Sequence, residues 1–298
     1  MRSPSRMSPS AGRRGTGRAL RLVLMLAVLA AAVWGAAPAD AADSTTRYYV
    51  SVGDSLAQGF QPIGGPHTNS SAAGYTQGYA DQLFKLAREG GRDQLRLVKF
   101  GCGGESTATM IADSRCDYET GSQLGDAVAF LDAHPGEIAF ITINLGANDL
   151  LFDCPDPACA VQQVQTNLPV ILDALRQAAG PDVPIVGMNY ANPFVAEWFF
   201  DPAAGEAVAA FAVGYNDVLE AVYAAAGVPV ADVATAFAMT DFTTMVELKG
   251  FGPVPLSVFQ TCTLTWICTT GPPSWSDIHP NTDGYARIAE TFAAVLGS

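Results

Sequence analysis

Ser55, within Gly53-Asp54-Ser55-Leu56, and His279, within Asp277-Ile278-His279-Pro280-Asn281, are side chains whose types suit nucleophilic catalysis. A serine hydroxyl attacks a carbonyl carbon poorly until a base takes its proton, and imidazole is the side chain whose pKa suits that work near neutrality. Nothing in sequence proximity pairs the two, because 224 residues separate them. Acyl transfer also needs donors aimed at the oxygen that turns negative in the tetrahedral intermediate. Gly104 offers an unobstructed backbone N–H, Asn148 a side-chain amide, and Ser55 its own N–H. Each also has a plainer reading, Gly104 as a turn glycine and Asn148 as a helix cap or a residue bonding its own loop.

The elements that must bring these groups together follow from hydrophobic patterning. Short apolar runs at 47–52, 95–100, 138–145, 183–188 and 228–233 alternate with helical patterns at 75–89, 124–133, 160–179, 203–226 and 284–296. That alternation predicts a parallel sheet wrapped by crossover helices. The third run is almost wholly apolar, as befits a central strand covered on both faces. Residues 234–281 read as a long ordered loop clamped by Cys262 and Cys268. Open α/β sheets bind ligands beyond the carboxyl ends of their strands. Gly53-Asp54-Ser55-Leu56, the glycine-rich stretch 101–107 and Gly146-Ala147-Asn148-Asp149 lie at three such ends, and the His279 cluster precedes the last helix.

The first 41 residues stand apart. A head carrying six arginines, from Arg2 to Arg21, precedes an apolar run at 22–34 that is too short to span a bilayer comfortably. Gly35 and Pro38 break it, and Ala39-Asp40-Ala41 supplies a small-x-small cleavage pattern, so residues 1–41 read as a secretory signal peptide and 42–298 as a single domain. Without the leader, 10 basic residues face 28 acidic ones, a charge near −18. Nucleic acid and anionic membranes are poor partners for such a surface. The six cysteines cluster as Cys102-Cys116, Cys154-Cys159 and Cys262-Cys268, which in an exported chain favours three local disulfides. The spacing lacks Cys-x-x-Cys and only His67, His134 and His279 could supplement it, so a zinc site is disfavoured. The carboxylates show no calcium-loop pattern, and no metal or organic cofactor is implied.

The ordered blocks Gly53-Asp54-Ser55-Leu56, Gly104, Gly146-Ala147-Asn148-Asp149 and His279 resemble the GDSL or SGNH hydrolase superfamily, and in particular its secreted actinobacterial-type esterases and lipases. The resemblance spans residues 53–279 and implies a flavodoxin-like three-layer α/β/α fold on a central parallel five-stranded sheet. It implies Ser55 as nucleophile, His279 as base, and an oxyanion hole from the backbone N–H groups of Ser55 and Gly104 with the Asn148 amide. Ala57 stands where Gly-x-Ser-x-Gly would need its second glycine, which argues against an α/β-hydrolase elbow.

One position departs from the family pattern. The aspartate usually three residues before the histidine is Ser276 here, and Asp277 stands two before. Two groups therefore compete to orient His279: the Ser276 carbonyl and the Asp277 carboxylate. The implied activity is hydrolysis of carboxylic esters through an acyl-enzyme by a secreted monomer without stable membrane insertion, acting on a small-molecule or lipid ester. The aromatic-rich run 194–200, with Trp266 and Trp275, either lines an acyl pocket or packs the core. The pocket reading favours fatty acyl esters; the alternatives are a carbohydrate acetyl esterase and a glycan-binding module that has lost turnover.

Overall fold

Strands that bury both faces need helices on both sides, and this chain supplies them in alternation. The computed structural model describes residues 46–62, 75–269 and 277–297. The chain falls into two units, Met1–Asp43 and Ser44–Ser298, and everything below concerns the second. The expected signal peptide, Trp275 and Ser276 lie outside the described residues.

Strands β1 (Arg47–Gly53), β2 (Leu95–Lys99), β3 (Ile138–Asn144), β4 (Ile185–Met188) and β5 (Val230–Ala231) form a parallel sheet in the order β2-β1-β3-β4-β5. The order reverses at β1, so loops after β1 and its two neighbours β2 and β3 open on one crevice. Strand residues alternate between two cores because successive side chains point to opposite faces. Val50, Val52, Ile141 and Ile143 pack against helices α4 (Gln123–Ala133), α5 (Pro157–Ala179) and α6 (Pro202–Ala225) through residues such as Leu131 and Leu168. On the other face Tyr49 and Phe140 meet α2 (Tyr79–Glu89) and the final helix, α9 (Thr282–Leu296), through Leu83 and Phe292. This is the expected α/β architecture with a five-stranded parallel sheet.

Two expectations need correction. The helix predicted from residue 75 starts at Tyr79, because Gly78 takes an extended conformation and serves as N-cap. Residues 234–281 are more regular than a long loop: the short helix α7 (Val233–Ala236) runs into them, and their described part contains an antiparallel hairpin, β6 (Met245–Leu248) with β7 (Gly252–Pro255), and helix α8 (Leu256–Leu264). Leu248, Val254 and Val258 form a small core with Trp198 and Phe199, contacts that no local pattern in the sequence announces.

Candidate active site

The turn after β1 depends on a glycine. Gly53 has φ of 136°, and a Cβ there would lie 2.0 Å from the Asn144 carbonyl oxygen, so only glycine lets β1 close against β3 and then turn. Asp54 caps the short helix α1 (Ser55–Gln58), accepting the Leu56 N–H at 2.8 Å. Ser55 thereby sits at the first position of a helix, on the wall of a cavity. The Asp54 carboxylate is buried, and it also accepts from Asn144 Nδ2 at 2.6 Å and the Tyr190 hydroxyl at 2.8 Å. Loss of hydration pushes its pKa up to about 6, while those hydrogen bonds pull it back.

His279 reaches Ser55 from the far end of the chain. Its Nε2 lies 2.8 Å from Ser55 Oγ, and its Nδ1 lies 3.0 Å from Asp277 Oδ1. Asp277 Oδ1 also accepts the backbone N–H of His279 at 2.8 Å, which folds the two-residue separation into a tight side-chain turn. With the ring proton on Nδ1 donated to Asp277, the Nε2 lone pair faces the serine hydroxyl. The loop hangs on the end of α8. Trp266 N–H donates to the His279 carbonyl at 3.0 Å, Thr265 bridges to Pro280, and Asn281 Nδ2 donates to the Thr263 carbonyl at 2.8 Å. Asn281 also caps α9 through Asp283 and Gly284, and the Phe60 ring, 4.5 Å away between centroids, flanks the imidazole.

Gly104 and Asn148 line the same cavity as Ser55 and His279. Gly104 has φ of 82°, a left-handed conformation glycine adopts freely. Among the described residues neither its N–H nor that of Ser55 meets a protein acceptor, so both remain able to donate to a bound oxygen. Asn148 makes no side-chain cap bond to the π-helical turn Asp149–Asp153 that follows it; its Nδ2 donates to the Glu105 carbonyl at 2.8 Å, which orients the amide and leaves its second N–H. Asp149, the neighbour in the same block, turns inward instead. It is buried, accepts the Thr107 N–H at 3.0 Å and bonds the Thr107 hydroxyl, anchoring the start of helix α3 (Thr107–Ile111).

The cavity holds about 740 Å³. Leu150, Phe152, Val208, Phe211 and Tyr215 line its apolar wall, with Phe152 and Phe211 markedly exposed at the rim. The aromatic run splits between the two readings offered for it. Phe194 and Glu197 line the cavity, whereas Trp198 and Phe199 pack on the hairpin core and Phe200 is exposed. The cysteines are bridged as 102–116, 154–159 and 262–268, which leaves no thiol for a metal. Sequence reasoning missed Asn144, Tyr190 and Gln123 around the site. Asn144 carried a signal, a polar end on a strand that is apolar but for Thr142; Tyr190 and Gln123 carried none.

The GDSL-like lipase/acylhydrolase family matches residues 51–287 of the chain. Among curated proteins none matches the sequence. Solved structures share the fold at low identity. An extracellular lipase from Streptomyces rimosus is 17% identical, with 84% of this chain and 99% of that one covered at a TM-score of 0.52. An acetylxylan esterase from Geobacillus stearothermophilus is 16% identical over 85% and 95%, also at 0.52. An α/β hydrolase from the metagenome of Lake Arreo, Spain, is 21% identical over 85% and 96%, at 0.51.

Proposed function

The chain belongs to the GDSL-like lipase/acylhydrolase family and is a carboxylic-ester hydrolase, and from that premise we propose that it is a secreted serine esterase acting on fatty acyl esters through an acyl-enzyme on Ser55. The observation that carries this reading is the Ser55 Oγ to His279 Nε2 distance of 2.8 Å on the wall of an apolar cavity. His279 Nε2 takes the hydroxyl proton as Oγ attacks the ester carbonyl carbon, and the carbonyl electron pair moves onto oxygen. The N–H groups of Ser55 and Gly104 and the Asn148 amide stabilise that oxyanion. Asp277 holds the imidazole and stabilises its charged form. The imidazolium gives its proton to the departing alkoxide, which leaves as an alcohol. Water, deprotonated by the same nitrogen, then attacks the acyl-enzyme; the carboxylic acid departs and Ser55 regains its proton.

The cavity favours long acyl groups over acetyl, because its wall offers apolar side chains and few convergent polar ones. Burial of each methylene is worth about 0.8 kcal/mol, a factor of about four in kcat/KM while the chain still fits. Export rests on the leader at residues 1–41 and on the three disulfides, which suit an oxidising compartment. No helix among the described residues is long and apolar enough to cross a membrane, and the reading is of a monomer acting on lipid or small-molecule esters.

Hydrolysis of p-nitrophenyl esters from acetate to palmitate by oxidised, leader-free protein tests the reading. A rise in kcat/KM from acetate to at least octanoate, abolished in Ser55→Ala and His279→Ala, is expected. A maximum at acetate would favour the carbohydrate acetyl esterase. Wild-type turnover no greater than Ser55→Ala, with no labelling by a serine-directed phosphonate, would leave only the binding module.

A further inference from the structure

Three loops deliver Ser55, Gly104 and Asn148 from three different strands, and catalysis requires their donors and nucleophile to hold one geometry within a fraction of an ångström. Gln123, the first residue of α4, is fully buried beneath them. Its Oε1 accepts the Gly53 N–H at 2.6 Å and its Nε2 donates to the Gly53 carbonyl at 2.9 Å, so one amide grips both polar groups of the residue two before Ser55. The same Nε2 donates to Glu105 Oε2 at 3.3 Å. Glu105 directly follows Gly104, and its backbone carbonyl is the acceptor that orients Asn148. The Gly53 carbonyl receives a further N–H from Cys102, on the loop that carries Gly104, at 3.0 Å. One hydrogen-bonded chain, Gly53 to Gln123 to Glu105 to Asn148, therefore joins all three loops under the cavity.

We propose that Gln123 is a positioning residue of the hydrolysis, and that through Gly53 and Glu105 it sets the separation between Ser55 Oγ and the oxyanion donors of Gly104 and Asn148. The proposal rests on the roles given above to Ser55, Gly104 and Asn148. A buried amide with every group paired is stable, whereas an apolar residue there strands the Gly53 N–H and frees the loops to shift. Glu105 belongs to the same device. Its carboxyl is fully buried, burial raises its pKa, and hydrogen bonds from Thr109, Arg115, Ser114 and Gln123 offset that rise, so Gln123 is one of the neighbours that hold this side chain in register. A misplacement of about an ångström in such a site costs on the order of 100-fold in rate while leaving the acyl pocket able to bind.

Full-length mature protein carrying Gln123→Met, of similar volume but unable to bond, is compared with wild type, Ser55→Ala, Glu105→Gln and Glu105→Leu on p-nitrophenyl octanoate. Inhibition by an octylboronic acid, which forms a tetrahedral adduct, is measured alongside. Gln123→Met is expected to lower kcat about 10- to 100-fold with KM within about threefold of wild type, and to weaken boronate binding in step with kcat. Glu105→Gln, which keeps an acceptor for Gln123, stays within about threefold, and Glu105→Leu shows a smaller version of the Gln123→Met pattern. A fall in thermal stability with kcat and boronate affinity unchanged makes Gln123 merely structural and overturns the proposal. Should Gln123→Met fail to fold, Glu105→Leu decides by the same two readouts. Full activity in Ser55→Ala would instead remove the reading on which the proposal stands, a failure distinguishable from an active Gln123→Met over an inactive Ser55→Ala.

Discussion

The two halves of the site are held in opposite ways. Ser55, Gly104 and Asn148 stand at the ends of neighbouring strands, where parallel ladders and the buried bonds of Asp54, Asn144 and Gln123 fix the backbone from below. His279 and Asp277 sit just before α9, outside the strands of the main sheet, on a segment suspended from the end of α8 by the Trp266, Thr265 and Asn281 contacts, beside the 262–268 disulfide. In the proposed mechanism a nucleophile and its oxyanion donors must keep one geometry through the whole reaction, and a sheet supplies that. A base must accept and return protons, and a pinned loop with a carboxylate behind the ring suffices.

The sharpest way to break the histidine half is Asp277→Asn. The amide keeps the shape but removes the charge that steadies the imidazolium, and it also favours the wrong ring tautomer. Steady-state kinetics on the octanoate ester are expected to show a loss of about 10²- to 10⁴-fold in kcat. A loss under threefold would assign the orienting role to a backbone carbonyl such as that of Ser276.

A weaker effect separates the halves by their fastenings. Replacing both Cys262 and Cys268 with alanine removes the bridge beside the loop that carries His279, and kcat is expected to fall about tenfold along with a Tm drop of several degrees. The same replacement at Cys102 and Cys116 should lower Tm comparably but kcat by less than threefold, since hydrogen bonds to Gly53 and Asn148 still hold that loop. Equal kinetic losses in the two variants would erase the distinction drawn here.

An effect on stability rather than on rate concerns the burial that stiffens the strand-end half. With its folded pKa pushed up to about 6 against an ordinary value near 4, Asp54 binds more protons folded than unfolded across that window. Its contribution is therefore most favourable below about pH 4, declines as pH rises toward 6, and is constant above. Asp54→Asn mimics the protonated side chain, so urea unfolding should show wild type losing on the order of 2–3 kcal/mol relative to the variant between pH 4 and 7.5. A difference independent of pH would mean that Asp54 does not titrate in that range.

Local patterning determined much of this molecule. Alternating apolar runs announced the five parallel strands, the Gly53 and Gly104 blocks marked strand ends, and the close cysteine pairs announced their own bridges. These are legible because each depends on neighbours within a few residues. The hairpin and α8 were not legible within 234–281, since what stabilises them is contact with Trp198 and Phe199, about fifty residues earlier. The competition between Asp277 and the Ser276 carbonyl was likewise open in the sequence, and what favours Asp277 is a turn in which one carboxylate oxygen meets both the His279 N–H and Nδ1. Gln123 lies just before the helical pattern at 124–133 and carries no local mark until the sheet sets Gly53 against it. Spacing along the chain declares which groups are available for chemistry; only packing across the sheet decides which of them meet, because hydrogen bonds between residues 70 or 224 positions apart leave no local trace.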